Sequence, residues 1–158
     1  MKSVTKRLSS ILMVIIISAL GSNAQSGSAK QVKWTFSSKK IAENTYEVRM
    51  AAEILGKFHL YAQEPGVEGP LPTSISFSAN PLLTLNGKVK ESGKLIKKYE
   101  SAWPGNVNYY EKGVEFIQVV KLKANAKTSL NGKVEFIVCD DSQCLPPSEV
   151  NFKIAVGG

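Results

Sequence analysis

The 158 residues carry 20 lysines and arginines against 13 acidic residues, for a formal net charge of +7, with two cysteines and one histidine. The lysines are scattered rather than run together, which argues for a solvated basic surface and against a stripe for nucleic acid. One cysteine pair and a lone histidine fall short of the usual ligand set of a structural zinc site.

The chain opens on Lys2, Lys6 and Arg7, with no acidic residue nearby. An apolar run from Ile11 to Leu20 follows, broken only by Ser18, and then Ser22-Asn23-Ala24. This is the layout of a cleaved secretory signal over residues 1–24. The run is about half the ~20 residues that a spanning helix needs. Export implies an oxidising compartment, in which two cysteines can hold a disulfide. Residues 25–30 are small and polar and predict a short flexible lead-in, so the domain is expected at 31–158. A chain of that size buries a core without covalent help.

From there the periodicity is that of strands. Val32–Phe36 is the first candidate. Thr45–Ile54 alternates, with Tyr46, Val48, Met50, Ala52 and Ile54 on one face and Glu47, Arg49 and Glu53 on the other. Phe58–Tyr61, Ser74–Phe77, Leu83–Val89 and Val114–Lys123 follow. Val134–Val138 and Val150–Val156 complete the set. Gly69-Pro70-Leu71-Pro72 cannot sit inside a central strand, because its prolines lack the ladder donor. Asn86-Gly87 and Asn131-Gly132 read as turns. Tyr109-Tyr110 reads as the start of a strand with one ring buried. Trp103, before Pro104-Gly105, reads as an aromatic folded over the end of the domain. The stretch from Gly87 to Lys94 fails as a phosphate loop, since five residues separate its glycines and Leu95 stands where a hydroxyl is needed. Beyond the signal, no window keeps helical spacing over three turns. The expected fold is all-β, an antiparallel sandwich of immunoglobulin type, with an up-and-down barrel as the alternative.

Both cysteines lie in one segment, Val138 to Pro147, "VCDDSQCLPP", at the mouth of a connection between two predicted strands. Pro146 and Pro147 stiffen its second half. As a staple, a bond between Cys139 and Cys144 closes a ring of about six residues, which chain entropy values at only about 2 kcal/mol. As a metal clip, the pair lacks partners beyond His59, Asp140 and Asp141. As a redox pair, its spacing excludes the C-x-x-C pattern of thioredoxin-like enzymes. Asp140 and Asp141 disfavour a thiolate at Cys139, so such a pair waits for a partner bringing its own activated cysteine. The residues alone leave staple and redox pair both open. In the staple reading the chain is a non-catalytic exported binding module.

The segment Cys139-Asp140-Asp141-Ser142-Gln143-Cys144-Leu145-Pro146-Pro147 resembles the cysteine loop in the N-terminal periplasmic domain of the thiol:disulfide interchange protein DsbD family. Trp34-Thr35-Phe36, Lys57-Phe58-His59-Leu60-Tyr61, Gly69-Pro70-Leu71-Pro72-Thr73 and Lys97-Lys98-Tyr99 are similar to further segments of that family. The resemblance implies a periplasmic, immunoglobulin-like module that exchanges electrons with thioredoxin-fold oxidoreductases and needs no bound cofactor. By position it makes Cys144 the exchanging sulfur and Cys139 the resolving one. Ser101-Ala102-Trp103-Pro104-Gly105 matches the family's cap loop, with Trp103 as the shield. His59 and Tyr61 are expected beside the cysteines as neighbours that tune the site, His59 not as a catalytic group. This loop is one residue shorter than in well-known members. The family's membrane hub and thioredoxin-like domain are not in these 158 residues, so the electron donor, membrane-linked or thioredoxin-like, is expected to be a separate polypeptide.

Overall fold

The computed structural model describes residues 27–158 apart from residue 102. The expected signal at 1–24 lies outside the described residues. From Gly27 the expected lead-in takes a defined turn. Gly27–Gln31 forms a 3-10 turn with Ser28 fully buried. Ser28 Oγ donates to the Leu145 carbonyl at 3.4 Å and accepts from the Val138 N–H at 3.3 Å. The Ala29 N–H donates to Ser148 Oγ at 2.9 Å. The turn therefore clasps the cysteine segment at both ends, which a solvated lead-in would not do.

One sheet is built from β1 (Val32–Ala42), β2 (Thr45–Ile54), β5 (Leu83–Gly93) and β8 (Gly113–Leu122), in the order β1-β2-β8-β5, all antiparallel. The alternation of β2 is realised: Tyr46, Val48, Met50, Ala52 and Ile54 are buried. Met50 stands opposite Phe36 on one side and Phe116 on the other.

The second layer holds β3 (His59–Tyr61), β4 (Ser74–Phe77), β6 (Ile96–Glu100), β7 (Gly105–Glu111), β9 (Thr128–Phe136), β10 (Val138–Cys139) and β11 (Ser148–Val156). They form two ladders, β10-β3-β7-β6 and β11-β9-β4. β9 runs into β10 after one residue, so a single stretch of chain serves both. One core joins the layers: Val48, Met50, Phe116 and Val120 from the first meet Leu60, Tyr110, Val134, Phe136 and Ile154 from the second. Trp34 of β1 reaches across to Phe136, ring centroids 5.4 Å apart, and Phe36 stacks on Phe152 at 5.1 Å. Burying such a side chain contributes about 1.5–3 kcal/mol. The architecture is an antiparallel β-sandwich of the immunoglobulin type.

Several local expectations change. Asn86-Gly87 lies within β5 as a bulge, not at a turn: the register with β8 shifts between Asn86 and Lys90, and Gly87 takes a φ of 76°. The buried Gln118 amide donates to the Asn86 and Gly87 carbonyls, both at 3.3 Å, and holds the bulge in place. Asn131-Gly132 lies inside β9, where Gly132 pairs with Phe152 and Phe77. A side chain at Gly132 would strike the Phe152 ring and the Ser76 carbonyl, so close approach, not a turn, requires the glycine. Two strands escape the periodicity, β6 and most of β7. β6 is an edge strand with three consecutive exposed residues, Lys97 to Tyr99, so no period of two shows. Tyr109 and Tyr110 are both buried, because both faces of β7 are covered.

Candidate functional site

β10 is two residues long and pairs with β3, placing Cys139 opposite His59 and Val138 opposite Leu60. Cys139 is 2% exposed and bonded to Cys144, which is exposed, with the two Cα atoms 4.0 Å apart. The loop between them is closed by backbone as well as by sulfur. The Asp140 N–H donates to the Gln143 carbonyl at 2.8 Å, and the Leu145 N–H to the Val138 carbonyl at 2.9 Å.

Asp140 organises this loop from inside. Its Oδ1 accepts from the Ser142 N–H at 2.8 Å, the Ser142 hydroxyl at 2.7 Å and the Gln143 N–H at 2.9 Å. Its Oδ2 lies 3.1 Å from Lys57 Nζ. The Ser142 hydrogen bonds, joined by Lys57 and Gln143, hold the carboxyl well below the usual carboxylate range. Asp141 behaves differently. Its side chain is 94% exposed and sits 3.7 Å from Lys98 Nζ, a contact worth little in water. The two aspartates expected to act alike on Cys139 are thus one buried loop organiser and one solvated charge.

The ladder β10-β3-β7-β6 has two unlike faces. Leu60, Tyr110 and Val138 point into the main core. Cys139, Tyr61, Val107 and Tyr109 form a second apolar cluster, against which Val67, Ile96, Trp103 and Ile137 pack. His59 shares this face. Its ring lies 4.4 Å from that of Tyr109 and 5.2 Å from that of Tyr61. It is 6% exposed, and its Nε2 has no hydrogen-bond partner among the described residues. Glu100 Oε1 is 3.7 Å away, too far for a hydrogen bond. Burial lowers the imidazole's proton affinity, opposed by Glu100, Glu111 and Asp141. The ring is therefore neutral at pH 7.

Tyr61 links this acid to Trp103. Its hydroxyl donates to Glu100 Oε2 at 3.2 Å and accepts from the Trp103 indole N–H at 3.2 Å. Burial pushes the phenol up to about 12. Trp103 is half-buried and presses on Gly69, where an added methyl would overlap its six-membered ring. A cavity of about 410 Å³ opens beside the disulfide, lined by Tyr61, Tyr99, Glu100, Trp103, Cys139 and Cys144 among others. His59, Tyr61 and Trp103, expected near the cysteines, are brought to this one face. Glu100 and Tyr99 were not foreseen as site residues. Glu100 directly precedes Ser101-Ala102-Trp103, the stretch expected to serve as a cap loop, and that adjacency is the signal for it. Tyr99 is 64% exposed at the cavity mouth, and its sequence signal is the Lys97-Lys98-Tyr99 segment that resembles the family.

No family model and no curated protein matches the chain. Among solved structures, the DsbD n-terminal domain of Neisseria meningitidis in the reduced form is similar, with a TM-score of 0.51 and 17% identity over 82% of this chain and 88% of that one. The N-terminal periplasmic domain of ScsB from Proteus mirabilis aligns with a TM-score of 0.49 and 16% identity over 77% of this chain and 44% of that one, so the chain spans less than half of its length. At such identity the first of these likenesses establishes a shared fold. The cysteine segment thus sits in a chain that folds like the DsbD n-terminal domain.

Proposed function

We propose that the protein is a periplasmic thiol–disulfide exchange module working through Cys139 and Cys144. The observation that carries this reading is the asymmetry of the pair: Cys139 is buried in a sheet while Cys144 is exposed beside a cavity. A partner thiolate reaches Cys144 and not Cys139. It attacks Cys144 Sγ, a mixed disulfide forms, and the Cys139–Cys144 bond breaks with its electron pair on Cys139 Sγ. A second partner thiol then releases the module with both cysteines reduced. Run in reverse, the same steps pass two electrons to a target disulfide.

The surroundings support the role. Asp140 and the flanking backbone bonds keep the loop in shape when the sulfur bond opens. Trp103, held by Tyr61 and Gly69, borders the pair as a cap. Thioredoxin-fold oxidoreductases are the fitting partners, fed by a membrane-linked electron donor. Trapping is the direct test. Cys139→Ser leaves Cys144 able to form a mixed disulfide that cannot resolve, and a thioredoxin-fold partner accumulates in covalent complex. If neither Cys139→Ser nor Cys144→Ser captures such a partner, the electron-carrier reading is refuted.

A further inference from the structure

His59 has chemistry that the exchange step so far leaves unused. It is the chain's single histidine. In the antiparallel ladder it stands directly opposite Cys139, where side chains on one face lie about 4.5–5.5 Å apart at Cβ. Its ring is held by Tyr61 and Tyr109. Among the described residues its Nε2 is buried without a hydrogen bond, with the Glu100 carboxylate waiting at 3.7 Å. A buried nitrogen without a partner is costly, and here it lies on the face that carries the sulfur.

Resting on the exchange reading above, we infer that His59 takes up a proton when the disulfide opens, so that an imidazolium flanked by Glu100 and the Cys139 thiolate balances the charge of the leaving sulfur. The step balances. The incoming thiolate forms its bond to Cys144 Sγ, the electron pair of the broken bond goes to Cys139 Sγ, and the proton comes from solvent. When the disulfide re-forms, that proton returns to solvent.

The charged and titratable groups around the ring come from four places. Glu100 and Lys98 lie on β6, Glu111 and Tyr109 on β7, and Asp141 on the cysteine loop, with Tyr61 beside it on β3. In the disulfide form the three acids do not overcome burial, and the ring stays neutral. Opening the bond puts a negative charge at the cross-strand neighbour while Cys139 is the thiolate, a state that burial and the nearby carboxylates otherwise disfavour. An opposite charge within ~4–6 Å raises the proton affinity of a cationic group by about tenfold to a thousandfold. His59 is a positioning residue by this account: it acts on the potential and pH profile of the sulfur pair without touching the partner.

The test needs no partner protein. Because the chain has one histidine, its imidazole proton resonances are unambiguous in NMR. They are titrated from pH 4 to pH 9 in the oxidised protein and in the protein reduced with dithiothreitol. The expected result is a gain of about tenfold or more in His59 proton affinity on reduction. Cys139→Ser, which removes the thiolate, is expected to return the titration to that of the oxidised protein. Glu100→Gln lowers the affinity in both redox states. Identical titrations of the oxidised and reduced protein overturn the inference, as does a gain that persists in Cys139→Ser. Partner capture without a gain refutes the role of His59 alone. A gain without partner capture sustains the coupling and refutes the carrier reading instead.

Discussion

Opening the disulfide separates an exchanging bond from a staple by how much stability it removes. The bond closes a ring of about six residues, and the chain-entropy value of so short a ring is about 2 kcal/mol. That value is expected to be a ceiling, because the folded loop keeps its shape by other means. Two backbone hydrogen bonds cross it, three more converge on Asp140 Oδ1, and Ser28 bridges Val138 and Leu145. By the thermodynamic cycle, the same ~2 kcal/mol is the extra resistance of the folded disulfide to reduction, a factor of about 30 in the equilibrium constant. The assay is urea unfolding of the oxidised protein, the dithiothreitol-reduced protein and the Cys139→Ser/Cys144→Ser variant. All three are expected to unfold cooperatively with similar slopes, the latter two less stable by no more than about 2 kcal/mol. A loss of about 4–5 kcal/mol, the upper range for a native disulfide, refutes the reasoning and makes the bond a staple.

Two further outcomes follow from the geometry. Gly69 has a φ of 128° and lies against the Trp103 ring, so Gly69→Ala displaces the indole at a cost of about 1–3 kcal/mol. Tryptophan emission shifts to the red and dithiothreitol reduces the disulfide faster; an unchanged rate rules Trp103 out as the cap. Asp140 has a depressed carboxyl in the fold, so its contribution is present above an unfolded value of about 3.9 and lost as pH falls below it. Urea midpoints measured from pH 6 to pH 2 therefore flatten in Asp140→Asn relative to the native chain, and parallel curves count against the loop account.

How much of this was legible depends on whether a residue's neighbours are local. β2 and the inner residues of β8 and β11 announced themselves, because one buried face imposes a period of two on the sequence. β6 did not, because an edge strand lies open to solvent and tolerates Lys97, Lys98 and Tyr99 in a row. Both Asn-Gly pairs misled for one reason: glycine serves a bulge or a tight approach as readily as a turn, and only the neighbouring strand shows which. At the site, the cysteine loop and its nearest strand were readable from their own residues. Glu100 was not, since its meaning comes from Tyr61 and His59, about forty positions earlier in the chain.

An all-β chain with one cysteine pair in a short proline-stiffened loop could be read from the residues alone, because alternation and turn chemistry are local properties. Which sulfur is buried emerged from the packed sheet alone. The fold also made Asp140 a loop organiser while leaving Asp141 in water, and it set His59 across from Cys139 with Glu100 beside it. Strand pairing brings His59 and Cys139 together across eighty residues, and burial, which no single segment carries, then lowers the proton affinity of His59.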